Sequence, residues 1–406
     1  MLRNKLTLLS LGLFLMTISA KAETILDKRM IIAPSCLMKH ASIPYQLLSK
    51  THDLMLMSIQ DQYIEKLAAS KKHQKESCGG FIDVTSDWQS FATNHHVIKN
   101  RAHHFLMHYS NQQNQSDQHE KTYRIQYPTE VNQLLNHINP AIMWTNLTAL
   151  TAFPDRSART ESGVKAAAWL KNEVETIAKN AERDDVSAYF VETNGYLQPS
   201  LVVKMGKSNE PGIVIGGHMD TLSSRFGLKP GADDDGSGSV TVLEVARTLL
   251  TSQMQFKKPI YFMWYAAEEA GLIGSQHVVA AFKKKDIPID AVIQFDMTGY
   301  AYKNDPTIWL MQDYVNKNLT AYLETLINTY VKQPIQYTKC GYACSDHDSW
   351  NRAGFAASMP FEAKMGNDDP YIHTAQDTMD LLSLNHMTNF AKLGVAFAVE
   401  LAEPVQ

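Results

Sequence analysis

Gly216-Gly217-His218-Met219-Asp220 sets an imidazole and a carboxylate directly behind a short apolar run, and Ala232-Asp233-Asp234-Asp235-Gly236 and Glu268-Glu269 add carboxylates on two further connections. Mixed nitrogen and oxygen donors of this kind suit a divalent ion such as zinc. Asp296 and His373 downstream supply enough donors for a second ion. The chemistry this points to is two-metal hydrolysis.

The elements that must carry these residues alternate. Gly212 to Gly217, Pro259 to Ala266 and Asp290 to Met297 are short apolar runs, as expected of strands buried on both faces. Between them, Ser239 to Leu250 and Gly274 to Lys285 have helical spacing, and 169–181, 314–331 and 384–401 add further helices. Strand, helix, strand predicts an α/β fold with a mostly parallel central sheet flanked by helices and right-handed crossovers. His218 and Asp220 then follow the first strand, Glu268 and Glu269 the second, and Asp296 lies at the end of the third. All gather at the carboxyl edge, where open α/β sheets bind ligands. Separate surface salt bridges would not favour one edge. The Lys283-Lys284-Lys285 run reads as a solvated helix end.

The rest of the chain bounds the setting. Its 406 residues, 44% hydrophobic and 20% charged with a formal net charge of -4, give no electrostatic reason to expect nucleic acid or an anionic membrane as partner. Met1 to Ala22 reads as a secretory signal: Arg3 and Lys5, an apolar run from Leu6 to Ile18, then Ala20-Lys21-Ala22. The expected product is exported, periplasmic or extracellular, with no membrane anchor once the signal is cleaved, and a monomer. Export makes the four cysteines potential disulfide partners, with three pairings open. Gly341 eases the turn that would join Cys340 to Cys344, leaving Cys36 to Cys78; free buried thiols are the plain alternative.

The stretch Asn111 to Lys121 has no apolar residue and predicts an exposed linker. It divides the chain into 1–22, 23–120 and 121–406. The pairs His95-His96 and His103-His104 in the middle part lack other donors at ligand spacing and read as solvated surface.

His218-Met219-Asp220, Asp233-Asp234-Asp235, Glu268-Glu269, Asp296-Met297 and Ile372-His373-Thr374 resemble the metal-binding motifs of the two-zinc aminopeptidases of family M28. The loop from Cys340 to His347 is similar to that of the secreted bacterial leucyl aminopeptidases of the Vibrio and Aeromonas type. The resemblance runs from about Lys121 to the C-terminus and implies a zinc-exopeptidase-like (phosphorylase-hydrolase-like) fold. It implies one zinc on His218 and Asp296, the other on Glu269 and His373, with Asp234 bridging. Glu268 becomes the general base and Asp220 the carboxylate that orients His218; a surface carboxylate is the bland reading of Glu268. The Asp234-Asp235 peptide is expected to be cis.

The matching side-chain pocket is Met297, Met311, Phe361 and Met365 with Tyr342 on its rim. Such a surface suits leucine, methionine or phenylalanine, each Å² of apolar area removed from water contributing about 25 cal/mol. Met365 and Asp368 depart from the pattern, and Asp368 could favour a cationic side chain. Peptides are the expected substrates.

The segment 23–120 is expected to be a propeptide of a zymogen, assisting folding or covering the site and removed near Asn111 to Lys121; a permanent accessory domain is the alternative. Rival functions are a metallo-carboxypeptidase or deacylase, for which only Lys364 and Arg352 could clamp a carboxylate, a glutaminyl cyclase on the same fold, and a binding domain without catalysis.

Overall fold

A computed structural model describes residues 28–70, 79–94, 100–112 and 121–405. The expected export signal, His95-His96, Cys78 and all but the ends of the expected linker lie outside the described residues. Asn111 and Gln112, expected in that linker, instead close a helix.

The N-terminal unit is an antiparallel sheet of β1 (Lys28–Pro34), β2 (Gln46–Lys50), β3 (Leu54–Gln60) and β4 (Ile82–Asp83) in the order β2-β3-β1-β4, with α1 (Ser35–His40), α2 (Ile64–Ala68), α3 (Thr85–Asn94) and α4 (Arg101–Gln112). Both faces of this sheet are apolar and neither core is its own. One cluster joins Ile31, Met57 and Leu67 to Leu222, Ala267 and Ile273; the other joins Leu56 and Leu106 to Leu272 and Tyr314.

The larger unit begins with α5 (Pro128–Leu135), α6 (Pro140–Thr151) and α7 (Glu161–Asn180). Then follow β5 (Val186–Val191), β6 (Ser200–Met205), β7 (Gly212–His218), α8 (Gly238–Thr251), β8 (Ile260–Tyr265), α9 (Ile273–Lys284) and β9 (Ile289–Gln294). The chain ends through β10 (Ile308–Met311), α10 (Lys317–Leu326), β11 (Ile335–Thr338), α11 (His347–Arg352), β12 (Ala357–Ser358), β13 (Pro360–Phe361) and α12 (Leu384–Ala402). The central sheet runs β12-β9-β7-β8-β6-β5. Its first four strands are mutually parallel and β6 and β5 continue it antiparallel, so the mixed α/β architecture is the expected one. A separate sheet, β11-β10-β13, lies outside it.

β7 and β8 are buried along their whole length because α8 and α12 cover one face and α9 and α11 the other. α8 starts at Gly238, where a Cβ would lie 2.2 Å from Asp235 Oδ1. The absent side chain lets the Asp235 carboxylate reach the helix start. α9 opens just as tightly, with Gly274 donating its N–H to Ala266 O at 2.9 Å.

Disulfide chemistry follows the expected pattern where it is described. Cys340 and Cys344 are bridged, and Cys36 is disulfide-bonded. Among the described residues no helix is long and apolar enough to cross a membrane.

Candidate metal centre

The parallel strands end together, and their ends hold the donors. His218 closes β7; Glu268 and Glu269 lie in the turn from β8 to α9; Asp296 lies two residues past β9. Asp234 stands on the connection into α8, behind a cis Asp234-Asp235 bond, and His373 on the loop before α12. His218 Nε2 is 3.1 Å from Asp234 Oδ1 and 3.7 Å from Asp296 Oδ1. His373 Nε2 is 3.1 Å from Asp234 Oδ2 and 2.7 Å from Glu269 Oε2. Two donor groups result, His218–Asp234–Asp296 and Asp234–Glu269–His373, and each keeps its atoms within 4.8 Å of one another. Asp234 offers one oxygen to each. One imidazole and two carboxylates per group match the donor types and the three-protein-ligand count of open zinc sites, so the residues present fit zinc.

Buried carboxylates hold this geometry by gripping main chain. Asp220 faces His218 Nδ1 at 3.5 Å, and its two oxygens accept the N–H groups of Glu268 and Glu269 at 3.0 and 3.3 Å. The carboxylate expected to orient one histidine therefore also fixes the backbone of the glutamate pair. Asp235 accepts from the N–H of His218, Gly238 and Met297 at 3.0, 2.9 and 3.1 Å, tying three donor-bearing segments together. Asp377 accepts from Asp233 and Asp234 at 2.7 and 3.1 Å and so links the loop of His373 to the shared carboxylate. In the sequence Asp377 is only a polar residue four positions after His373.

Charge is concentrated here. Burial disfavours an imidazolium at His218, yet Asp296 and Glu268 outweigh it and lift its pKa well above the ordinary value. The same competition, won by Glu269 and Asp234, lifts His373 to about 10. Burial would raise Asp234, but the two histidines hold it well below the usual carboxylate range. Glu268 is pushed well up, by burial first and by Asp296 and Asp346 next. Glu268 Oε2 lies 4.0 Å from His218 Nε2 and belongs to neither donor group.

Beside the centre, Met297, Met311, Tyr342 and Phe361 share one apolar cluster against which Met365 packs. Asp368 is buried and accepts the Gly366 N–H at 2.7 Å. Of the two candidate clamps for a substrate carboxylate, Arg352 is committed to Asp348 and Asp87 at 2.8 and 2.9 Å, and Lys364 is exposed. His103 and His104 are exposed, as expected.

One contact at the site, the carbonyl of Ala68, left no signal in the sequence. The N-terminal unit lies over the site: His373 Nδ1–H donates to Ala68 O at 3.0 Å, and the Tyr342 ring lies on the backbone of Gly79 and Gly80. A Cβ on Gly79 would be 1.9 Å from that ring. The space left between Ala68, Phe81, Glu268, Glu269, Tyr342 and His373 is a cavity of about 30 Å³. Side-chain types could not announce the Ala68 contact, because a main-chain carbonyl makes it.

Residues 200–398 match the model of peptidase family M28. The chain is similar to leucine aminopeptidase 1 of Penicillium rubens, with 34% identity over 79% of this chain and 83% of that one. It is also similar to the solved structure of the Legionella pneumophila LapA aminopeptidase, with 42% identity, a TM-score of 0.83 and coverage of 93% of this chain and 99% of that one. LapB of the same organism gives 39%, 0.82, 93% and 100%. A match over 93% of the chain exceeds what residues 121–406 could supply alone. The likeness therefore extends into the N-terminal unit and does not stop near Lys121.

Proposed function

We propose, on the premise that this chain belongs to peptidase family M28 and is a metallo-aminopeptidase, that it removes leucine and other apolar residues from the N-termini of peptides with two zinc ions per chain. Asp234 carries this reading: its two oxygens face separate donor groups, each completed by one histidine and one further carboxylate. His218 and Asp296 would hold one ion, Glu269 and His373 the other, with Asp234 shared. Zinc, when bound, supplies polarisation of the scissile carbonyl and activation of water.

The chain's own residues do the rest. Glu268 stands beside both donor groups without belonging to either, and its environment raises its affinity for a proton. It takes the proton of the attacking water and returns it to the leaving amine. Asp220 keeps Glu268 and His218 in fixed relation by holding both. Met297, Met311, Tyr342, Phe361 and Met365 receive the side chain of the first residue, where flexible thioethers adapt to several apolar shapes.

Residues 1–22 are an export signal in this reading, 121–406 the catalytic unit, and 23–120 a cover over its site, cut near Asn111 to Lys121 after export. The contacts of Ala68 and of Gly79-Gly80 support the cover. The two apolar clusters shared across the units favour a second reading, in which the cover stays as a permanent accessory domain. N-terminal sequencing of the exported protein, with activity before and after limited proteolysis, separates them.

The function itself is tested by assaying aminoacyl and N-blocked substrates with and without chelator. Loss of hydrolysis on chelation, recovery with zinc and about two ions per chain support the proposal. Full activity with no metal retained, or equal turnover of N-blocked substrates, overturns it.

A further inference from the structure

Arg156 is fully buried, yet among the described residues its guanidinium is hydrogen-bonded to no carboxylate. Its Nε donates to Met219 O at 2.9 Å, Nη2 donates to Gly231 O at 2.7 Å, and Nη1 donates to Pro230 O. Its own N–H donates to Thr221 Oγ1 at 2.9 Å. Met219 stands between His218 and Asp220, and Gly231 stands three residues before Asp234. One planar fork thus clamps both ends of the connection that runs from one proposed ligand to the next. Neighbouring residues tighten the same loop: Asp155 Oδ2 accepts the Ser224 N–H at 2.8 Å, and Lys229 N–H donates to Pro154 O at 3.0 Å.

A buried guanidinium is expensive to desolvate, and three backbone carbonyls alone are a poor return for it. Burial is the stronger influence and lowers the Arg156 pKa, and Asp377, Asp235, Asp234 and Asp220, the carboxylates that bridge or orient the centre, recover only part of the cost. Lysine could supply the charge but not three donors in one plane. Gly231, at φ +52°, has no room for a side chain, since a Cβ there would lie 2.8 Å from Arg156 Nη2. The loop and the guanidinium are built against each other.

We infer that Arg156 is a positioning residue for the metal centre: it sets the spacing between His218 and Asp234 from behind by holding the carbonyls of Met219, Pro230 and Gly231. It touches neither substrate nor reacting atoms. This inference rests on the zinc-ligand assignment proposed above.

The test is zinc affinity of the full chain by competition with a chromophoric chelator, alongside kcat and KM, for the wild type, Arg156→Lys and Arg156→Gln. Both variants should bind zinc roughly tenfold or more weakly, as expected when a group that orients ligands is lost. At saturating zinc, kcat should fall while KM stays within about twofold, because the apolar pocket is untouched. Folded variants with wild-type zinc affinity and kcat would overturn the inference, as would a change confined to thermal stability. Should neither variant fold, Thr221→Val decides, since it removes the acceptor of the Arg156 N–H together with a donor to Leu222 O while leaving the guanidinium in place; it should weaken zinc, and unchanged affinity counts against the clamp. His218→Ala is the control for the ligand set: if it retains two zinc ions, the assignment fails and this inference falls with it.

Discussion

His373 Nδ1–H donates to the carbonyl of Ala68 at 3.0 Å, so the imidazole whose Nε2 faces Asp234 and Glu269 is oriented by a residue from the other unit. A histidine whose second nitrogen is held this way has a fixed tautomer and ring plane. The covering unit is therefore coupled to the centre by a hydrogen bond as well as by obstruction.

Cutting the chain within 113–120 and separating the two pieces should raise kcat/KM for peptides by at least tenfold, since the cavity of about 30 Å³ beside Glu268 holds little more than a water. Initial rates on a leucyl peptide before and after the cut check this. An unchanged rate after demonstrated separation sinks the cover.

Glu268→Gln should lower kcat by roughly two to four orders of magnitude with zinc content intact, the range expected for a lost general base. Glu269→Ala should lose zinc instead. Metal analysis of the two proteins beside their turnover numbers distinguishes the adjacent glutamates, and equal zinc loss in both would refute the division of roles.

Asp61 joins the units by accepting from Arg29 and Arg159 at 2.8 and 2.9 Å. Burial works against its charge, but the two guanidiniums outweigh burial and hold its pKa below the ordinary 3.8. A depressed carboxylate contributes stability that is complete above its unfolded pKa and is lost as pH falls through the folded one. Docking of the cut pieces should thus be tight at neutral pH and begin to weaken only below about pH 4. Size-exclusion chromatography of the nicked protein from pH 7 to 3 reads this directly, and Asp61→Asn should dissociate more readily at neutral pH.

Gly274→Ala should destabilise the fold by about 1–3 kcal/mol, because the new Cβ would lie 2.0 Å from Ala266 O and something must shift. The turn carrying Glu268 and Glu269 is closed by the Gly274 N–H, so zinc affinity should fall as well. Denaturant unfolding and zinc titration measure the two effects.

What the sequence made legible was set by how local its physics is. β7, β8 and β9 are continuous apolar runs, and α8 and α9 end within about a residue of where their spacing placed them, because full burial leaves a plain pattern. β5 was not legible: its residues are all partly exposed and blur any alternation. α7 begins at Glu161, eight residues before the expected start, since Thr160 caps Gly163 N–H through its side chain and small residues fill the first turns. The donors at the strand ends could be named from residue type and order. Arg156 and Ala68 could not, since both act on or through main-chain carbonyls.

The two apolar clusters that straddle the units have a further consequence. Leu222, Ala267, Ile273, Leu272 and Tyr314 would be bared to water if residues 121–406 were made alone, and Ile31, Leu56, Met57 and Leu106 likewise in the shorter piece. Among the described residues the shorter piece has no apolar cluster of its own, whereas the larger keeps its central core and loses only the cover of one edge. Produced as separate polypeptides, the halves should fold poorly singly and well when made together, so the covering unit serves as a folding template before it is cut away.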